Sequence, residues 1–522
     1  MTAHPQSHHR VTCTILLAAL PLLYPLRYAE AQQMARGIVF EDRNNNGTRD
    51  ADEPGVPNVA VSNQDAVVLT DADGRYELPV TNDTILFVCK PADYASPVNK
   101  DNLPQFYYIH KPAGSPKQHY EGVPPSGELP ASVDFALLAA EATEKFRVIA
   151  MADPQPEIAQ EVQYIRDDVL NELPGVGAVF GITLGDIMSN QLEYYRPYNS
   201  CVGKVGIPFY NVIGNHDMNF DAADDRDSDE TFHRWFGPDY YSWNQGKVHF
   251  VALDTVNWLG EEKGHYRGDF DERQMRWLAN DLTYVPAEHL VVLLMHIPIM
   301  TPEGYQCDHT ERLFEVLKDR AKVLALAGHM HFHENVFLGE ENGWEGAGAF
   351  HLVINGTVSG AWWSGPKDYR GIPVTFCRDG VPNGYSIVTF DGADYVLDYK
   401  PASEDAANRM NIYPPGLLAQ DDEGRRTLLV NVFDGSDRAQ VEFSLDGGPY
   451  MVMEQAPQRD PLSLAMLTGP REMGKPWAST NVCQHIWKAV MPEPPGRGVH
   501  AIVVRVTDHY GRTFTQSKIF GR

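Results

Sequence analysis

Seven side chains that can bind a metal ion occur in five short motifs, each directly after an apolar, β-branched segment. They comprise two carboxylates, three imidazoles and two amides: Asp153, Gln155, Asp186, Asn215, His296, His329 and His331. The apolar segments span 146–151, 179–184, 208–213, 290–295 and 323–327, and their composition predicts β-strands. Ligands bind at the carboxyl ends of strands in α/β sheets, so the five loops are expected to meet at one edge. The sequence therefore predicts a metal centre with mixed oxygen and nitrogen ligands.

In type and order these motifs resemble those of the calcineurin-like metallophosphoesterases. They are Asp153-Pro154-Gln155, Gly185-Asp186, Gly214-Asn215-His216-Asp217, His296 and Gly328-His329-Met330-His331. The resemblance implies two metal ions, one held by Asp153, Gln155, Asp186 and His331 and the other by Asp186, Asn215, His296 and His329. Asp186 would bridge both ions. Gln155 departs from the family's usual histidine, and its amide oxygen is a harder ligand that favours Mn²⁺ or Mg²⁺.

Two divalent cations about 3.5–4 Å apart would activate a shared water and neutralise phosphoryl oxygens. We therefore expect hydrolysis of a phosphate monoester or diester by a metal-bridging hydroxide, with Mn, Fe, Zn or Mg as the candidate metals. His216 would face the substrate as a hydrogen-bond or proton donor, and Asp217 would orient it. The choice between monoester and diester stays open. The alternative is a surface-binding protein in which the phosphoesterase domain is only a scaffold.

Two segments rich in glycine and aromatic residues, 356–365 and 377–385, follow the last ligand motif. They suit a small-molecule phosphate ester with a flat or sugar-like portion. The candidate substrate-binding residues are Trp362, Trp363, Arg378 and Asn383. Tryptophans packed beneath a loop are an equally good interpretation of the same pattern.

An N-terminal segment, residues 32–141, is expected to form a small all-β module that resembles immunoglobulin-like or transthyretin-like repeats of bacterial surface proteins. It contains a loop with the oxygen-ligand spacing of a calcium site, namely Asp42, Asn44, Asn46, Thr48, Asp50 and Glu53, with Gly47 at the position that needs a sharp turn. Calcium binding is one interpretation of this loop. An acidic turn held by its own side-chain hydrogen bonds is the other.

The remaining pattern predicts an α/β (α+β) chain with β-rich modules at both ends. Helices are expected at 157–173, 271–284 and 311–322, between the strands of a central domain spanning 142–400. By the family resemblance, that domain would be a four-layer double β-sheet sandwich flanked by helices. Alternating segments and turns after residue 400 predict a C-terminal β-sandwich over 401–522. The three-part layout also resembles that of exported bacterial phosphoesterases.

Charge and the N-terminal sequence restrict the partners and the compartment. A formal charge of −27 disfavours nucleic acid and anionic membranes. Residues 1–31 have the apolar run and the Ala29-Glu30-Ala31 cleavage pattern of a signal peptide, so we expect an exported, periplasmic or extracellular protein. Pro21 and Pro25 interrupt the apolar run, which argues against a stable membrane span. The oligomeric state is left open.

Overall fold

The structure is a computed structural model that describes residues 33–260, 266–418, 423–468 and 475–522. The predicted signal peptide and its cleavage site lie outside the described residues. Among the helices of the described ranges, none has the length and apolar character needed to cross a membrane.

The N-terminal part contains eight strands in two four-stranded sheets. The strands are β1 (Gln33–Glu41), β2 (Ala60–Ser62), β3 (Val67–Leu69), β4 (Arg75–Val80), β5 (Thr84–Cys89), β6 (Tyr94–Ala95), β7 (Tyr107–His110) and β8 (Phe135–Ala139). The sheet orders are β4-β1-β8-β6 and β3-β2-β5-β7. Alternating apolar residues such as Val39, Leu78 and Leu137 from one sheet and Val61 and Phe87 from the other enter a common core. The β-rich character follows the sequence pattern, whereas the immunoglobulin-like or transthyretin-like assignment stays a prediction.

Within its described residues, the central part contains sixteen strands and five α-helices. Its strands are β9 (Lys145–Met151), β10 (Phe180–Leu184), β11 (Phe209–Val212), β12 (Tyr241–Gln245), β13 (Val248–Ala252), β14 (Val256–Trp258), β15 (Tyr266–Asp269), β16 (Leu290–Leu294), β17 (Met300–Thr301), β18 (Gly304–Tyr305), β19 (Cys307–Asp308), β20 (Lys322–Ala327), β21 (Glu334–Leu338), β22 (Ala349–Ile354), β23 (Gly384–Asp391) and β24 (Asp394–Pro401). The helices are α1 (Ala159–Asp168), α2 (Tyr195–Val202), α3 (Glu230–Phe236), α4 (Glu272–Leu282) and α5 (Thr310–Leu317). Short 3-10 helices occupy Leu170–Gly175, Leu192–Tyr194, Gly203–Val205, Asp225–Asp227 and Glu340–Asn342.

Two large sheets form the middle of the central part. Their strand orders are β11-β10-β9-β23-β24 and β12-β13-β16-β20-β22-β21. Phe250 of the second sheet contacts aromatic rings of the first, with centroid distances of 5.2 Å to Phe180 and 5.5 Å to Phe390. These contacts place the two sheets face to face around one core, which confirms the predicted double-sheet sandwich.

Helices connect the parallel strands and cover the outer faces. Parallel pairing joins β9, β10 and β11 in one sheet and β13, β16, β20 and β22 in the other. Parallel neighbours need crossover connections, which here contain α1, α2, α4 and α5. On the outer side of the six-stranded sheet, His249 of β13 lies 2.9 Å from Asp281 of α4. The arrangement leaves the carboxyl ends of the parallel strands as the open edge of the sandwich.

The C-terminal part is a second two-sheet unit. Its elements are β25 (Met410–Tyr413), β26 (Thr427–Val432), β27 (Gln440–Leu445), β28 (Met451–Val452), β29 (Glu454–Gln455), β30 (Gln458–Arg459), α6 (Pro461–Thr468), β31 (Val482–Cys483), β32 (Ile486–Val490), β33 (Val499–Thr507) and β34 (Thr513–Gly521). The main sheets, β25-β26-β32-β29 and β28-β27-β33-β34, share a core that includes Val430, Trp487, Phe443 and Val504. This agrees with the predicted terminal β-sandwich.

Buried polar contacts join the three parts. The Trp277 Nε1 donates to Ser62 Oγ of the N-terminal part at 3.1 Å, and Lys111 forms an ion pair with the fully buried Glu230. On the other side, Asp434 of the C-terminal part accepts from Asn335 at 2.9 Å. Breaking such contacts would leave buried charges unpaired, so the flanking parts help to hold the central sandwich.

Candidate metal centre

The five predicted ligand loops leave five parallel strands at one edge of the sandwich. The strands β9, β10, β11, β16 and β20 end at Met151, Leu184, Val212, Leu294 and Ala327, two to four residues before the respective ligands. Because these loops share one edge, residues separated by up to 178 positions meet. The sequence-based placement of the loops is confirmed by these strand ends.

The backbone of these loops turns unusually sharply. Five of the seven predicted ligands have positive φ angles: Asp153 (46°), Gln155 (39°), Asp186 (46°), His329 (71°) and His331 (56°). Each non-glycine residue in this region costs about 1–3 kcal/mol. Such strain collects at functional sites, where it directs a side chain that a relaxed turn would point elsewhere.

Glycine permits the loops to pack closely around the ligands. A Cβ atom added at Gly214 would lie 2.0 Å from the backbone nitrogen of Asp186, and one added at Gly185 would lie 2.5 Å from His296 Nδ1. Any larger residue at either position would push two ligand loops apart. The glycines of the sequence motifs therefore have a steric role at this centre.

Three ligand atoms converge on His296 Nε2. Its Nε2 lies 3.0 Å from Asn215 Oδ1, 3.1 Å from Asp186 Oδ1 and 3.2 Å from His329 Nδ1. The other ring nitrogen, Nδ1, lies 2.9 Å from the carbonyl oxygen of Leu184, so in the neutral ring Nδ1 carries the hydrogen and Nε2 carries a lone pair. Four electron-pair donors then face one another, an arrangement that a cation satisfies.

The remaining ligands lie beside this group. His331 Nε2 is 3.5 Å from Asp153 Oδ1, and the Asp153 carboxylate accepts the backbone N–H of His329 at 3.0–3.1 Å. Gln155 Nε2 donates to Asp186 Oδ2 at 2.8 Å. The buried Gln155 Oε1 has no hydrogen-bond partner within the described ranges. An orphaned amide oxygen beside two carboxylates fits a second cation.

Electrostatics agree with a cation at this position. Burial lowers the pKa of His296, but the Asp186 and Asp153 carboxylates together raise it by more, to about 9. Without a metal ion the His296 ring is therefore the cation at this position, and a bound metal ion would replace its proton. Burial lowers the pKa of both His329 and His331 to about 3. His329 and His331 are therefore neutral ligands at physiological pH, which is the protonation state that metal binding requires.

His216 lies at the rim of the centre and is oriented by a residue that the sequence did not indicate. Its backbone N–H donates to Asp186 Oδ1 at 2.8 Å, and its Nδ1 lies 2.6 Å from Asn190 Oδ1. The Asn190 amide therefore fixes the orientation of the His216 ring through Nδ1. Asn190 belongs to no ligand motif, and only its position four residues after Asp186 could have suggested it.

Asp217 has a different role from the one predicted. Both oxygens of its fully buried carboxylate accept hydrogen bonds: Oδ2 from the backbone N–H groups of Ile187 and Gly214, and Oδ1 from Met188 N–H and the Tyr195 hydroxyl, all at 2.9–3.0 Å. The expectation that Asp217 orients His216 is therefore wrong. Instead, the Asp217 carboxylate links two loops by hydrogen bonds: the loop that carries Asp186 and the loop that carries Asn215.

The two adjacent tryptophans have separate environments. Trp362 is half-buried and stacks on His331, with 4.1 Å between ring centroids and an interplanar angle of 28°. Trp363 is 1% exposed and packs against Tyr164 at 5.8 Å. The substrate-binding prediction for Trp363 is wrong because its ring belongs to the core, whereas Trp362 borders the centre.

The other two predicted substrate residues have partners within the protein. Asn383 is buried, and its Nδ2 donates to Asp168 Oδ2 at 2.9 Å and to the Val358 carbonyl at 3.0 Å, so its assignment to the substrate is wrong. Arg378 Nε donates to the carbonyl oxygen of Ser479 at 3.1 Å. The structure thus uses the Arg378 guanidinium to hold the C-terminal part beside the His331 loop.

Sequence reasoning missed one aromatic residue at the centre. The Tyr266 ring meets the His329 ring edge to face at 6.1 Å. Burial, with the Asp186 and Asp153 carboxylates nearby, raises the pKa of Tyr266 to about 12, so its hydroxyl is a hydrogen-bond donor at neutral pH. Tyr266 is the first residue of a short strand without a recognisable motif, so no sequence pattern indicates it.

The predicted calcium loop connects β1 to β2. Its side chains bond to its own backbone: Asp42 Oδ2 accepts from Gly47 N–H at 2.8 Å, and Asn46 Oδ1 accepts from Thr48 N–H at 2.7 Å. The buried Glu53 carboxylate accepts the N–H groups of Arg43 and Asp50 at 2.8 and 2.9 Å. These are the hydrogen bonds that the acidic-turn interpretation expects, and calcium binding stays a prediction.

Two family models match the chain on either side of the ligand motifs. One is described as the N terminal of calcineurin-like phosphoesterase and matches residues 43–121. The other is described as the C terminal of calcineurin-like phosphoesterase and matches residues 353–514. Both models describe calcineurin-like phosphoesterases, and the motif order and the double-sheet sandwich agree with that class.

Individual relatives are more distant. A probable glycerophosphodiester phosphodiesterase of Arcobacter nitrofigilis is 27% identical over 164 residues, which cover 29% of this chain and 55% of the relative. The chain thus spans about half the length of this curated relative. A dimetal phosphatase from Danio rerio has a TM-score of 0.35 and 14% identity, with 49% of this chain and 96% of the other covered. Purple acid phosphatase PPD1 of yellow lupin has a TM-score of 0.36 and 13% identity, with coverages of 67% and 69%.

Proposed function

We propose that the protein hydrolyses phosphate esters with two divalent cations held at this centre. The convergence of Asn215, Asp186 and His329 on His296 Nε2, all within 3.0–3.2 Å, is the observation that carries the proposal. When bound, such cations supply Lewis acidity that activates water and neutralises charge on the phosphoryl group. Neutral imidazoles and amides complete the coordination without cancelling that charge.

The residues at the rim would act on the substrate. His216 would donate from Nε2 to a phosphoryl or leaving-group oxygen, because Asn190 occupies its Nδ1 at 2.6 Å. A hydrogen bond that strengthens as charge develops lowers the barrier to hydrolysis. Trp362, stacked on His331, would offer an apolar wall for the organic part of the ester, and Tyr266 a hydroxyl donor.

The chemistry accommodates both monoesters and diesters. The relative described as a probable glycerophosphodiester phosphodiesterase supports including glycerophosphodiesters among the candidate substrates. A chromogenic monoester and a chromogenic diester, followed by sugar phosphates, nucleotides and glycerophosphodiesters, would determine the preference. The metal is proposed to be Mn, Fe, Zn or Mg, with the amide Gln155 favouring the harder ions.

Asp186→Asn is the most informative variant for this proposal. It keeps the size of the side chain but removes the charge between the ligands, so we expect loss of bound catalytic metal and a fall in turnover of roughly three orders of magnitude or more. Metal content by plasma mass spectrometry and hydrolysis of both chromogenic esters would be measured on the same samples.

Asp391→Asn is the matched control. Asp391 is an exposed carboxylate that pairs with Lys145 at 3.0 Å, at the start of β9 and hence at the edge of the sheet opposite the ligands. It should leave metal content and turnover unchanged. A fully metallated wild-type protein without activity on any ester would refute the proposal and favour the surface-binding alternative.

Export and calcium binding are two further proposals. Residues 1–31 are proposed to direct the chain to the periplasm or the exterior, a proposal that rests on the sequence of that segment. The loop from Asp42 to Glu53 is proposed to bind Ca²⁺, because its oxygen-ligand spacing matches calcium loops. N-terminal sequencing of the mature protein and a calcium titration of thermal stability would test them.

A further inference from the structure

A second group of potential metal ligands lies in an acidic cavity between the N-terminal and central parts. The cavity has a volume of about 380 Å³. Its carboxylates are Asp83, Asp225, Asp229, Asp239, Asp254 and Asp271, and the cationic or titratable side chains that face them are Arg226, Arg273 and His233. Lys111 pairs with Asp83 at 3.0 Å, so six carboxylates face four positive or titratable groups among the described residues.

Three of these side chains have the geometry of a ligand set. His233 Nε2 lies 3.2 Å from Asp229 Oδ2 and 3.3 Å from Asp239 Oδ1. One ligand atom from each of the three residues lies within 4.8 Å of the others. Gln64 of the N-terminal part donates its Nε2 to Asp239 Oδ1 at 2.6 Å, which fixes that carboxylate in place.

Two buried acceptor oxygens at the cavity lack a partner among the residues that the structure describes. They are Asp229 Oδ1 and Gln274 Oε1. Gln274 is only 1% exposed, and its Nε2 donates to the Asp254 carbonyl at 2.8 Å. This hydrogen bond fixes the amide group, while its Oε1 accepts no hydrogen bond from the described residues. An unsatisfied buried acceptor costs about 1–3 kcal/mol, and two such oxygens in the cavity that contains the carboxylate–imidazole group are suited to binding a cation.

We propose that Asp229, His233, Asp239 and Gln274 bind a divalent cation separate from the catalytic centre. Carboxylate and amide oxygens with one imidazole nitrogen suit Mn²⁺ or Zn²⁺. The cation joins α3, the residues that follow it and α4, while Gln64 ties the same site to the N-terminal part.

The proposed cation site lies on the chain segment that follows the loop carrying Asn215 and His216. Asn219, two residues after Asp217, exchanges hydrogen bonds with Thr231 of α3 at 2.9 and 3.0 Å. A cation bound to α3 through Asp229 and His233 therefore stabilises the segment that carries Asn215 and His216. The role is structural, and it does not depend on the proposed phosphoesterase activity.

The test compares metal stoichiometry in full-length variants equilibrated with Mn²⁺ and then freed of loosely bound ions. Asp239→Asn is expected to bind one equivalent of Mn²⁺ less than wild type. Asp186→Asn is expected to lose only the Mn²⁺ of the catalytic centre, and the double variant to lose the Mn²⁺ of both sites. Asp224→Asn is the matched control, because Asp224 is an exposed carboxylate of the same segment. It should bind as much Mn²⁺ as wild type.

Thermal unfolding of the same samples gives a second readout. Mn²⁺ should raise the melting temperature of Asp186→Asn, which keeps the cavity site, more than that of the double variant. An Asp239→Asn protein that binds as much Mn²⁺ as wild type would overturn the proposal. The group would then be an ion-pair cluster, with a protonated His233 between the carboxylates of Asp229 and Asp239.

Should Asp239→Asn fail to fold, anomalous diffraction from Mn²⁺-soaked wild-type crystals decides the question. A peak among Asp229, His233 and Asp239 is the expected result. Peaks at the catalytic ligands without one in the cavity would overturn the proposal.

Discussion

Replacing Asp217 by asparagine should weaken the hydrogen bonds that link the loop carrying Asp186 to the loop carrying Asn215. The carboxylate accepts four hydrogen bonds from Ile187, Met188, Gly214 and Tyr195, at 2.9–3.0 Å in a fully buried site. An amide accepts at only one of its two terminal atoms, and its NH₂ group would oppose at least one backbone N–H. Hydrogen bonds to a charged group contribute about 1.5–3 kcal/mol each.

With one to two such bonds lost and a buried donor left unsatisfied, we expect Asp217→Asn to destabilise the central part by about 3–5 kcal/mol. For a unit of 150–250 residues, each kcal/mol lowers the melting temperature by about 2–4 °C, so a fall of roughly 6–20 °C is expected. Differential scanning calorimetry of protein loaded with metal would measure it, and turnover should fall because Asp186 and Asn215 are no longer held in register.

Tyr195→Phe is the graded control for this experiment. It removes one of the four donors and keeps the carboxylate with its three backbone bonds, so the loss of one such bond, about 1.5–3 kcal/mol, is expected. If Asp217→Asn is no more destabilised than Tyr195→Phe, the carboxylate does not hold the loops and the reasoning is refuted.

Three other predictions concern catalysis, pH and calcium. His216→Ala should keep its metal and lose roughly two to four orders of magnitude in turnover, whereas Asn190→Ala should lose about tenfold because the imidazole is still present; equal losses, or full activity of His216→Ala, would contradict the assignment. Burial lowers the pKa of Lys90 to about 8, so from pH 8 to 10.5 the unfolded chain binds a proton that the folded chain has released. The free energy of unfolding of wild type relative to Lys90→Met should therefore rise by up to about 3 kcal/mol over that range, and a flat difference in denaturant titrations would show that the shift is absent. Millimolar calcium should raise the melting temperature of the full chain but not that of Glu53→Gln; no shift in wild type would end the calcium proposal.

The positions of the ligand loops could be predicted from the sequence because two independent signals coincide there. Runs such as Leu290–Leu294 have the composition of buried strands, and a polar residue that can bind metal follows each run. Since parallel strands end at a common edge, strand assignment alone brings His296 near Asn215 and Asp186. The flanking β-sandwiches were equally visible as alternating segments separated by turns.

Side-chain directions within those loops could not be predicted. Asp217 follows His216 in sequence and resembles an acid beside a base, but the tight turn after Gly214 directs its carboxylate into the protein and leaves Asn190 to pair with His216. Similarly, Trp362 and Trp363 are neighbours of one type, and their φ angles of 59° and 53° place one ring on His331 and the other in the core. Sequence spacing contains no information on such turns.

The acidic cavity was also invisible in the sequence. Its residues come from positions 64 to 274 and from two parts of the chain, and the acidic run near Asp224 resembles an ordinary solvated loop. Only the tertiary packing of α3 and α4 against the N-terminal sheets gathers Asp229, Asp239 and Gln274 in one place.

Anomalous diffraction from metal-loaded crystals tests the central claim most directly, because it locates each cation among its ligands. We expect two peaks on either side of Asp186, one beside Asp153, Gln155 and His331 and the other beside Asn215, His296 and His329. The absence of both peaks from crystals soaked in Mn²⁺ and in Zn²⁺ would contradict a two-cation phosphoesterase centre.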